Sequence, residues 1–334
     1  MSIKDKLCGV TEFDTGENYM ALGMCMGLAA GMMVQQIVFK DNAYLGSLYG
    51  IVFGELIGSQ ISVKINTDDD EILKYMRPEE ENILEYLKST EYIDCDNDVI
   101  REKAKELWDN VLASYSLSDK CSLDMFLYLI VNLGIEQSND YNVLKILKVQ
   151  WKEENTDKKF SSSEWSIALK EYKKFYIHLA KATFEYVRDE ITHSVDVKND
   201  IITYKASDVL INKTGICHAK SNLLAALLRA NGIPCGICFQ YKKYGNDELV
   251  KHCLHAYNAI YIDGNWLKVD ARGNKEYVDA QFPQDGNTRL AFGVRNEYNE
   301  YYIPWIYKDA DEEIMEMLSE AQNIEDVKEG LKIK

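Results

Sequence analysis

A cysteine at the start of a strongly patterned helix constrains this chain more than any other feature. From Thr214 the sequence runs Thr-Gly-Ile-Cys-His-Ala-Lys-Ser, and an apolar stretch then continues to Gly232-Ile-Pro234. Apolar residues at helical spacing, followed by a glycine and a proline, predict a helix over residues 217–231. A thiol in the first turn of a helix feels the positive end of the helix dipole, which favours the thiolate. Cys217 is therefore a candidate nucleophile.

Two predicted strands follow this helix and carry candidate acid–base partners. Residues 254–262 and 265–270 are rich in β-branched and aromatic side chains, and Asp263-Gly264 between them is typical of a hairpin turn. Pairing would bring His255, at the start of the first strand, close to Asp270, at the end of the second. A thiolate, an imidazole and an orienting carboxylate are the groups that acyl transfer needs. We predict that His255 is the base and later the acid, and that Asp270 fixes its tautomer.

Three short stretches resemble the sequence boxes of a known family. They are Gly215-Ile216-Cys217, Leu254-His255-Ala256 and the run from Trp266 to Arg272, in that order. These stretches resemble the Cys, His and Asp boxes of the bacterial transglutaminase-like superfamily. Residues 182–191 are similar to the helix that precedes the cysteine helix in that family.

The resemblance extends over residues 179–310, and an earlier stretch over 87–107 looks like the beginning of the same domain. It implies an α+β fold with a papain-like, transglutaminase-like core, in which the cysteine helix packs on an antiparallel sheet. It also implies that Cys217, His255 and Asp270 form a catalytic triad.

A zinc site built from Cys235, Cys238, His252 and His255 is a competing interpretation. The spacing approaches that of a two-Cys, two-His site, but the histidines lie one residue too close together. Cys238 also continues into an apolar strand, in which successive side chains face opposite sides. Because a zinc finger would leave the Cys217 helix unexplained, we favour reduced strand cysteines and predict neither metal nor cofactor.

Gln240 and His218 are the other polar candidates for the site. Gln240 could donate a hydrogen bond to a developing oxyanion, together with the backbone amide of Cys217; a solvent-facing glutamine is the alternative. His218 follows the nucleophile directly. Adjacent residues on a helix point about 100° apart, which makes His255 the better base.

The overall charge excludes some classes of partner. The 334 residues carry a formal net charge of -16, with a pI near 4.9. Such a chain would be repelled by the phosphates of nucleic acid and by anionic lipid headgroups. Eight cysteines without regular spacing, and the absence of a cleavable signal peptide, indicate a reducing compartment.

Glycines repeat every four residues near the amino terminus. They are Gly23, Gly27, Gly31, Gly46, Gly50, Gly54 and Gly58. This spacing places them on one helical face, where two backbones can approach closely. Residues 18–39 carry no charge and approach the ~20 residues that cross a bilayer.

Residues 17–66 therefore resemble the glycine-zipper hairpins of small bacterial membrane proteins, with the membrane contact over 18–64. The alternative is a soluble helix pair that packs on the rest of the chain or on a second copy, giving a homo-oligomer. Glu55 favours this alternative, since a carboxylate at the membrane midplane is costly. Cysteine usage places the protein on the cytoplasmic side of a bacterial membrane or, alternatively, free in the cytoplasm.

The remaining sequence predicts a largely helical chain around the catalytic core. The predicted helices are 78–89, 97–114, 122–133, 140–151 and 164–191. The predicted domains are a leader (1–16), the glycine-zipper hairpin (17–66), an acidic helical segment leading into the core (67–112), a helical insertion (113–176), the catalytic core (177–310) and a carboxy-terminal helix (311–334).

The predicted reaction begins when Cys217 attacks an amide carbonyl, forms a thioester and releases an amine or ammonia. Water then completes hydrolysis, or a second amine completes a cross-link. We favour hydrolysis of a peptide bond or a Gln/Asn side-chain amide in a protein or peptide substrate, since no amine site is visible. The alternatives are a non-catalytic peptide-binding scaffold and a membrane-tethered assembly factor.

Overall fold

The computed structural model describes residues 73, 76–157, 161–244, 251–284 and 287–333. The predicted leader and the glycine-zipper hairpin lie outside the described residues. Contacts divide the chain into two units. The larger unit comprises Arg77–Gly293 and Trp305–Lys334, and the smaller comprises Met1–Met76 and Val294–Pro304.

The chain is a mixed helix-and-sheet protein, as the predicted α+β class requires. Its helices and strands are, in chain order, β1 (Arg77–Pro78), α1 (Asp98–Ser114), α2 (Leu123–Asn132), α3 (Tyr141–Glu154), α4 (Ser162–Glu190), β2 (Thr192–His193), α5 (Ser194–Val197), α6 (Ala206–Asn212), β3 (Thr214–Gly215), α7 (Cys217–Ala230), β4 (Cys235–Tyr244), β5 (Lys251–Ile262), β6 (Asn265–Val269), β7 (Gln281–Gln284), β8 (Asn287–Arg289), β9 (Tyr301–Tyr302), β10 (Trp305–Ile306), α8 (Glu312–Glu320) and α9 (Ile324–Gly330). Three short 3-10 helices add Ile83–Leu87, Ile135–Gln137 and Asn296–Tyr298.

Side-chain caps explain where the four long amino-terminal helices begin. Asn97, Ser122, Asp140 and Ser161 each accept a hydrogen bond from a backbone N–H in the first turn of α1, α2, α3 and α4, respectively. Four of the predicted helices are thereby confirmed, with small shifts at their ends. Within the described residues, none of the helices combines the length and the apolar character that a membrane crossing requires.

The helix predicted over 78–89 is wrong. Arg77 and Pro78 instead form β1, which pairs in parallel with β10, and the Glu79 amide donates to the carbonyl of Ile306. The Glu79 amide is thus engaged in strand pairing, and only the 3-10 helix Ile83–Leu87 remains of the predicted helix. The carboxy-terminal segment also differs from prediction. It forms two helices, because Ala321 is extended and Asn323 caps the start of α9.

Helix α7 is the centre of the larger unit, and its prediction is confirmed. All residues from Cys217 to Arg229 are buried, and the helix contacts α1, α4, α6, β4 and β5. It ends where the sequence predicts. The amides of Gly232 and Ile233 donate to the carbonyls of Arg229 and Leu228, and Gly232 adopts a φ of 71°.

Strands β4, β5 and β6 of the larger unit form an antiparallel sheet in the order β6-β5-β4. The predicted β5–β6 hairpin is confirmed. Ile262 pairs with Asn265, and Asp263 and Gly264 both have positive φ, as a two-residue type I′ turn requires. His255 lies inside β5 rather than at its start, and in the strand register it is opposite Gln240 of β4.

Residues 294–304 belong to the smaller unit. They contain the 3-10 helix Asn296–Tyr298 and β9. The Arg295 guanidinium donates to both carboxylate oxygens of the buried Glu300, at 3.1 and 2.6 Å, which closes this short segment on itself.

Candidate active site

Cys217 is the first residue of α7. The preceding residue, Ile216, has an extended backbone and an apolar side chain. The amides in the first turn of α7 therefore receive no hydrogen bond from a capping side chain. The cysteine is 9% exposed. Its sulfur therefore lies at the positive end of a buried helix, where water screens the helix dipole weakly.

His255 and Asp270 are in direct contact. His255 Nε2 lies 2.7 Å from Asp270 Oδ2, and both side chains are buried. The carboxylate also accepts hydrogen bonds from two backbone amides, Arg272 N at Oδ1 and Ala291 N at Oδ2, each at 3.1 Å. Asp270 is thus held in place, and its bond to Nε2 leaves Nδ1 of His255 as the ring nitrogen available to the thiol.

The pKa values of Cys217 and His255 move in opposite directions. Burial raises the pKa of Cys217, but the charges of His218 and His255 and hydrogen bonds with His193 and His218 outweigh it, and the pKa lies well below its ordinary value. Burial lowers the pKa of His255, but Asp270 and Cys217 raise it to a net value of about 9. Both shifts act in the direction that favours a thiolate–imidazolium pair over a neutral thiol and imidazole.

His218 lies against the nucleophile, contrary to the prediction that it points away. Its Nδ1 is 3.4 Å from Cys217 Sγ. Helical side chains lean toward the amino terminus of their helix, which brings a long ring at position 218 back over the first turn. His218 Nε2 is buried and has no hydrogen-bond partner among the described residues. A role in binding the oxyanion or the substrate stays a prediction.

Gln240 is fully buried, so the solvent-facing alternative is wrong. Its Nε2 donates to the carbonyl of Phe292 at 3.0 Å, and its Oε1 is buried without a partner in the described part of the chain. The Phe292 ring packs edge-on against His255, with centroids 5.1 Å apart. Gln240 thus holds the residue that covers the imidazole, and its proposed donation to an oxyanion stays a prediction.

Sequence reasoning missed His193. This residue ends β2 and pairs with Gly215, which lies two residues before Cys217. Burial lowers the pKa of His193, although the contact with Cys217 raises it in part. The available signal was weak, because His193 is one of five histidines and no local motif connects it to the cysteine.

Two further buried cations surround the triad. Lys220 is fully buried on α7, and desolvation lowers its pKa to about 7, although Asp270 raises it in part. The Arg272 guanidinium forms a bidentate pair with Asp196, at 2.7 and 2.9 Å, and Lys275 joins the same carboxylate at 2.6 Å. These ion pairs hold the loop that follows Asp270.

The zinc interpretation finds no support in the geometry. Cys235 and Cys238 are buried thiols, and burial raises the pKa of both, which favours the thiol over the metal-binding thiolate. His255 Nε2 is bound to Asp270. Over the ranges that the structure describes, no three His, Cys, Asp or Glu side chains are arranged to hold a metal ion.

Residues 168–271 match the family model of the transglutaminase-like superfamily. This region runs from α4 to the residue after Asp270 and contains all three members of the predicted triad. No curated protein sequence matches the chain.

One solved structure that is similar in part is "a Putative Cysteine Protease from Cytophaga hutchinsonii". The two proteins share 18% identity over 54% of this chain and 51% of the other, with a TM-score of 0.24. The match thus spans about half the length of that protein, and a TM-score of this size does not establish a common fold.

Proposed function

We propose that this chain is a cysteine-dependent acyl-transfer enzyme that hydrolyses peptide bonds or Gln/Asn side-chain amides in a protein or peptide substrate. The observation that carries the proposal is the 2.7 Å contact between His255 and Asp270, near a cysteine at the start of α7 whose pKa is lowered. The match of residues 168–271 to the transglutaminase-like superfamily supports a cysteine hydrolase in general.

The acylation half of the reaction follows from the charges of the pair. The Cys217 thiolate attacks the amide carbonyl, and the carbonyl oxygen takes up the negative charge. As the tetrahedral intermediate collapses, the C–N bond breaks, and His255 Nδ1 gives its proton to the leaving nitrogen. The products are a thioester on Cys217 and a free amine, or ammonia from a side-chain amide.

Deacylation reverses the role of His255. The now neutral imidazole takes a proton from water, and the resulting hydroxide attacks the thioester carbonyl. Collapse breaks the C–S bond and releases the carboxylic acid, while the thiolate and the imidazolium are restored. Asp270 holds the ring in one orientation through both halves, since its oxygens are fixed by two backbone amides.

The burial of ionised groups favours an enzyme over a binding scaffold. Removing charges from water is costly, and a scaffold would gain nothing from a thiolate beside a buried imidazolium. Active sites are where perturbed pKa values concentrate. Cys217, His255 and Lys220 all have perturbed pKa values.

Selective alkylation tests the nucleophile. At about pH 6, iodoacetamide should modify Cys217 faster than Cys121, because only a thiolate reacts and the pKa of Cys121 is raised to about 11. Cys121 is the more exposed of the two, so accessibility alone predicts the reverse order. Peptide mass mapping after partial reaction measures both rates, and Cys217→Ser identifies the modified peptide.

An activated ester tests the acyl intermediate. A p-nitrophenyl ester needs no proton on its leaving group, so His255→Gln should still be acylated at Cys217 but should lose the base for deacylation. Intact mass should then show a trapped acyl group on His255→Gln and none on the Cys217→Ser variant. Equal alkylation of the two cysteines together with no trapped acyl group would end the enzyme proposal in favour of a scaffold.

A further inference from the structure

The imidazole ring of His218 lies against the nucleophile. Its Nδ1 is 3.4 Å from Cys217 Sγ, a hydrogen-bonding distance for sulfur, and the two residues are 2% and 9% exposed. Because they are adjacent in the first turn of α7, the helix itself sets this contact, and no pairing between distant segments is needed. Water competes weakly for a sulfur this deeply buried, so a hydrogen bond donated to it is strengthened.

Strand β4 holds the ring of His218 in place. The ring of Phe239 packs against it, with centroids 6.0 Å apart and planes tilted by 33°. Phe239 is fully buried and packs in turn on Tyr307, with centroids 5.5 Å apart. The next residue of β4, Gln240, is opposite His255 in the β4–β5 register. The sheet that carries His255 therefore also restrains His218.

The surroundings of the two ring nitrogens of His218 decide where its proton is. Nε2 is buried without a hydrogen-bond partner in the described part of the chain, whereas Nδ1 faces the sulfur. A ring protonated only at Nε2 would bury an N–H that has no acceptor and would turn a lone pair toward an anionic sulfur. Each of the other two protonation states places an N–H at Nδ1. The hydrogen bond therefore runs from Nδ1 to the thiolate.

The unpartnered Nε2 also distinguishes His218 from His255. A general base must carry an extra proton after it has taken one, and Asp270, 2.7 Å from Nε2 of His255, stabilises that charge. Over the described ranges, Nε2 of His218 meets no such carboxylate. His255 therefore carries the transferred proton, and His218 keeps its N–H at Nδ1 through both halves of the reaction.

We propose that His218 is a further catalytic residue, which donates a hydrogen bond from Nδ1 to the Cys217 sulfur and stabilises it as an anion. The inference rests on the proposed function. In acylation, this bond stabilises the thiolate that attacks the carbonyl. In deacylation, negative charge returns to the same sulfur as the C–S bond breaks, and the N–H is already directed at it. No proton is transferred to or from His218.

A matched pair of variants isolates the N–H. His218→Leu and His218→Asn have side chains of similar size, but only asparagine carries an N–H near the position of Nδ1. The assay is the pH dependence of Cys217 alkylation by iodoacetamide on the full chain, followed by peptide mass mapping. His218→Leu should move the midpoint of this dependence upward by about one pH unit, a tenfold loss of thiolate on the acidic side. His218→Asn should restore most of it.

The outcomes separate this role from a general disturbance and from the proposed function. His178→Leu makes the same change at an exposed histidine of α4 and should leave the midpoint unchanged. If wild-type Cys217 is alkylated no faster than Cys121, the proposed function fails, and the role of His218 fails with it. If wild-type Cys217 is reactive, an unchanged midpoint in His218→Leu, or the same midpoint in His218→Leu and His218→Asn, overturns only the role of His218.

Nuclear magnetic resonance of the wild-type protein gives a test that does not depend on the folding of a variant. The ring nitrogen shifts of His218 should show a proton at Nδ1 at neutral pH. Alkylation of Cys217 removes the thiolate acceptor, so the Nδ1 resonance should change. A ring protonated only at Nε2, or an Nδ1 resonance that does not respond to alkylation, would contradict the proposal.

Discussion

Replacing Asp270 by asparagine should move the titration of His255 out of the alkaline range. In the wild-type protein, burial opposes the charge on His255, and Asp270 and Cys217 together more than offset it, giving a pKa of about 9 against an ordinary value of 6.5. Asparagine keeps the shape of the side chain but removes its charge. With Cys217 alone left to oppose burial, the pKa of His255 in Asp270→Asn should fall well below 9.

The same difference in pKa sets an upper limit on the expected change in stability. A rise from 6.5 to about 9 corresponds to roughly 3 kcal/mol, at about 1.4 kcal/mol per unit. The folded-state pKa is the higher one. The stabilisation is therefore fully present below the unfolded value and is lost as pH rises through 9. The free energy of unfolding lost in Asp270→Asn should be larger at about pH 6 than at about pH 10, by up to roughly 3 kcal/mol, since Cys217 contributes part of the shift.

Only this pH-dependent part is diagnostic. Asparagine also turns an N–H₂ group toward the backbone amide of Arg272 or Ala291, which costs stability at every pH. Urea unfolding at the two pH values measures the difference, and histidine carbon-13 resonances measure the pKa directly. Asp263→Asn is the matched control, because Asp263 is an exposed turn residue paired with Lys173.

A His255 titration that remains near 9 in Asp270→Asn would refute the reasoning. It would mean that the 2.7 Å contact does not set the charge on the imidazole, and Asp270 would then be only a structural carboxylate. An equal loss of stability at both pH values would lead to the same conclusion.

Two other predictions follow from groups outside the triad. Lys220→Met should abolish a pH dependence of stability. Since the folded-state pKa of Lys220 is about 7 against 10.5 ordinarily, the free energy of unfolding of the wild-type protein should increase relative to that of the variant by about 1.4 kcal/mol for each pH unit from about pH 7 to 10. Urea unfolding that gives the two proteins the same pH dependence over this range would contradict the prediction. The glycine-zipper hairpin predicted over 17–66 should keep the full chain in the membrane pellet after carbonate extraction. A chain that lacks residues 1–66 should be released into the supernatant. Release of both chains would favour the alternative, a soluble helix pair.

Local patterns were sufficient to predict α7 and the β5–β6 hairpin. A helix that ends in Gly232 and Pro234 and a turn at Asp263-Gly264 are specified by residues next to one another in the chain. The contact between His255 and Asp270 follows from that hairpin. Four helices of the amino-terminal half were predicted for the same reason, since their caps and periodicity are local.

The incorrect and missing predictions involve partners that are distant in sequence. The segment 78–89 looked helical because proline and acidic residues are common in a first helical turn, but β1 pairs with β10, more than two hundred residues later. His193 is brought close to the start of α7 by a parallel bridge of two residues per strand, in which it pairs with Gly215. Parallel pairs need long connections, and strands this short show no periodicity that a sequence pattern could detect.

The position of Lys220 shows why the site needs these distant contacts. A fully buried lysine one turn after the nucleophile destabilises the folded protein unless its ammonium finds acceptors. It finds them in the carbonyls at the end of α4, immediately before the strand that carries His193. The same interaction therefore gives the buried amino group two acceptors and connects α7 to the end of α4. Replacing the lysine with an apolar residue should loosen β2 and with it the pairing of β2 with β3, the strand that leads into Cys217.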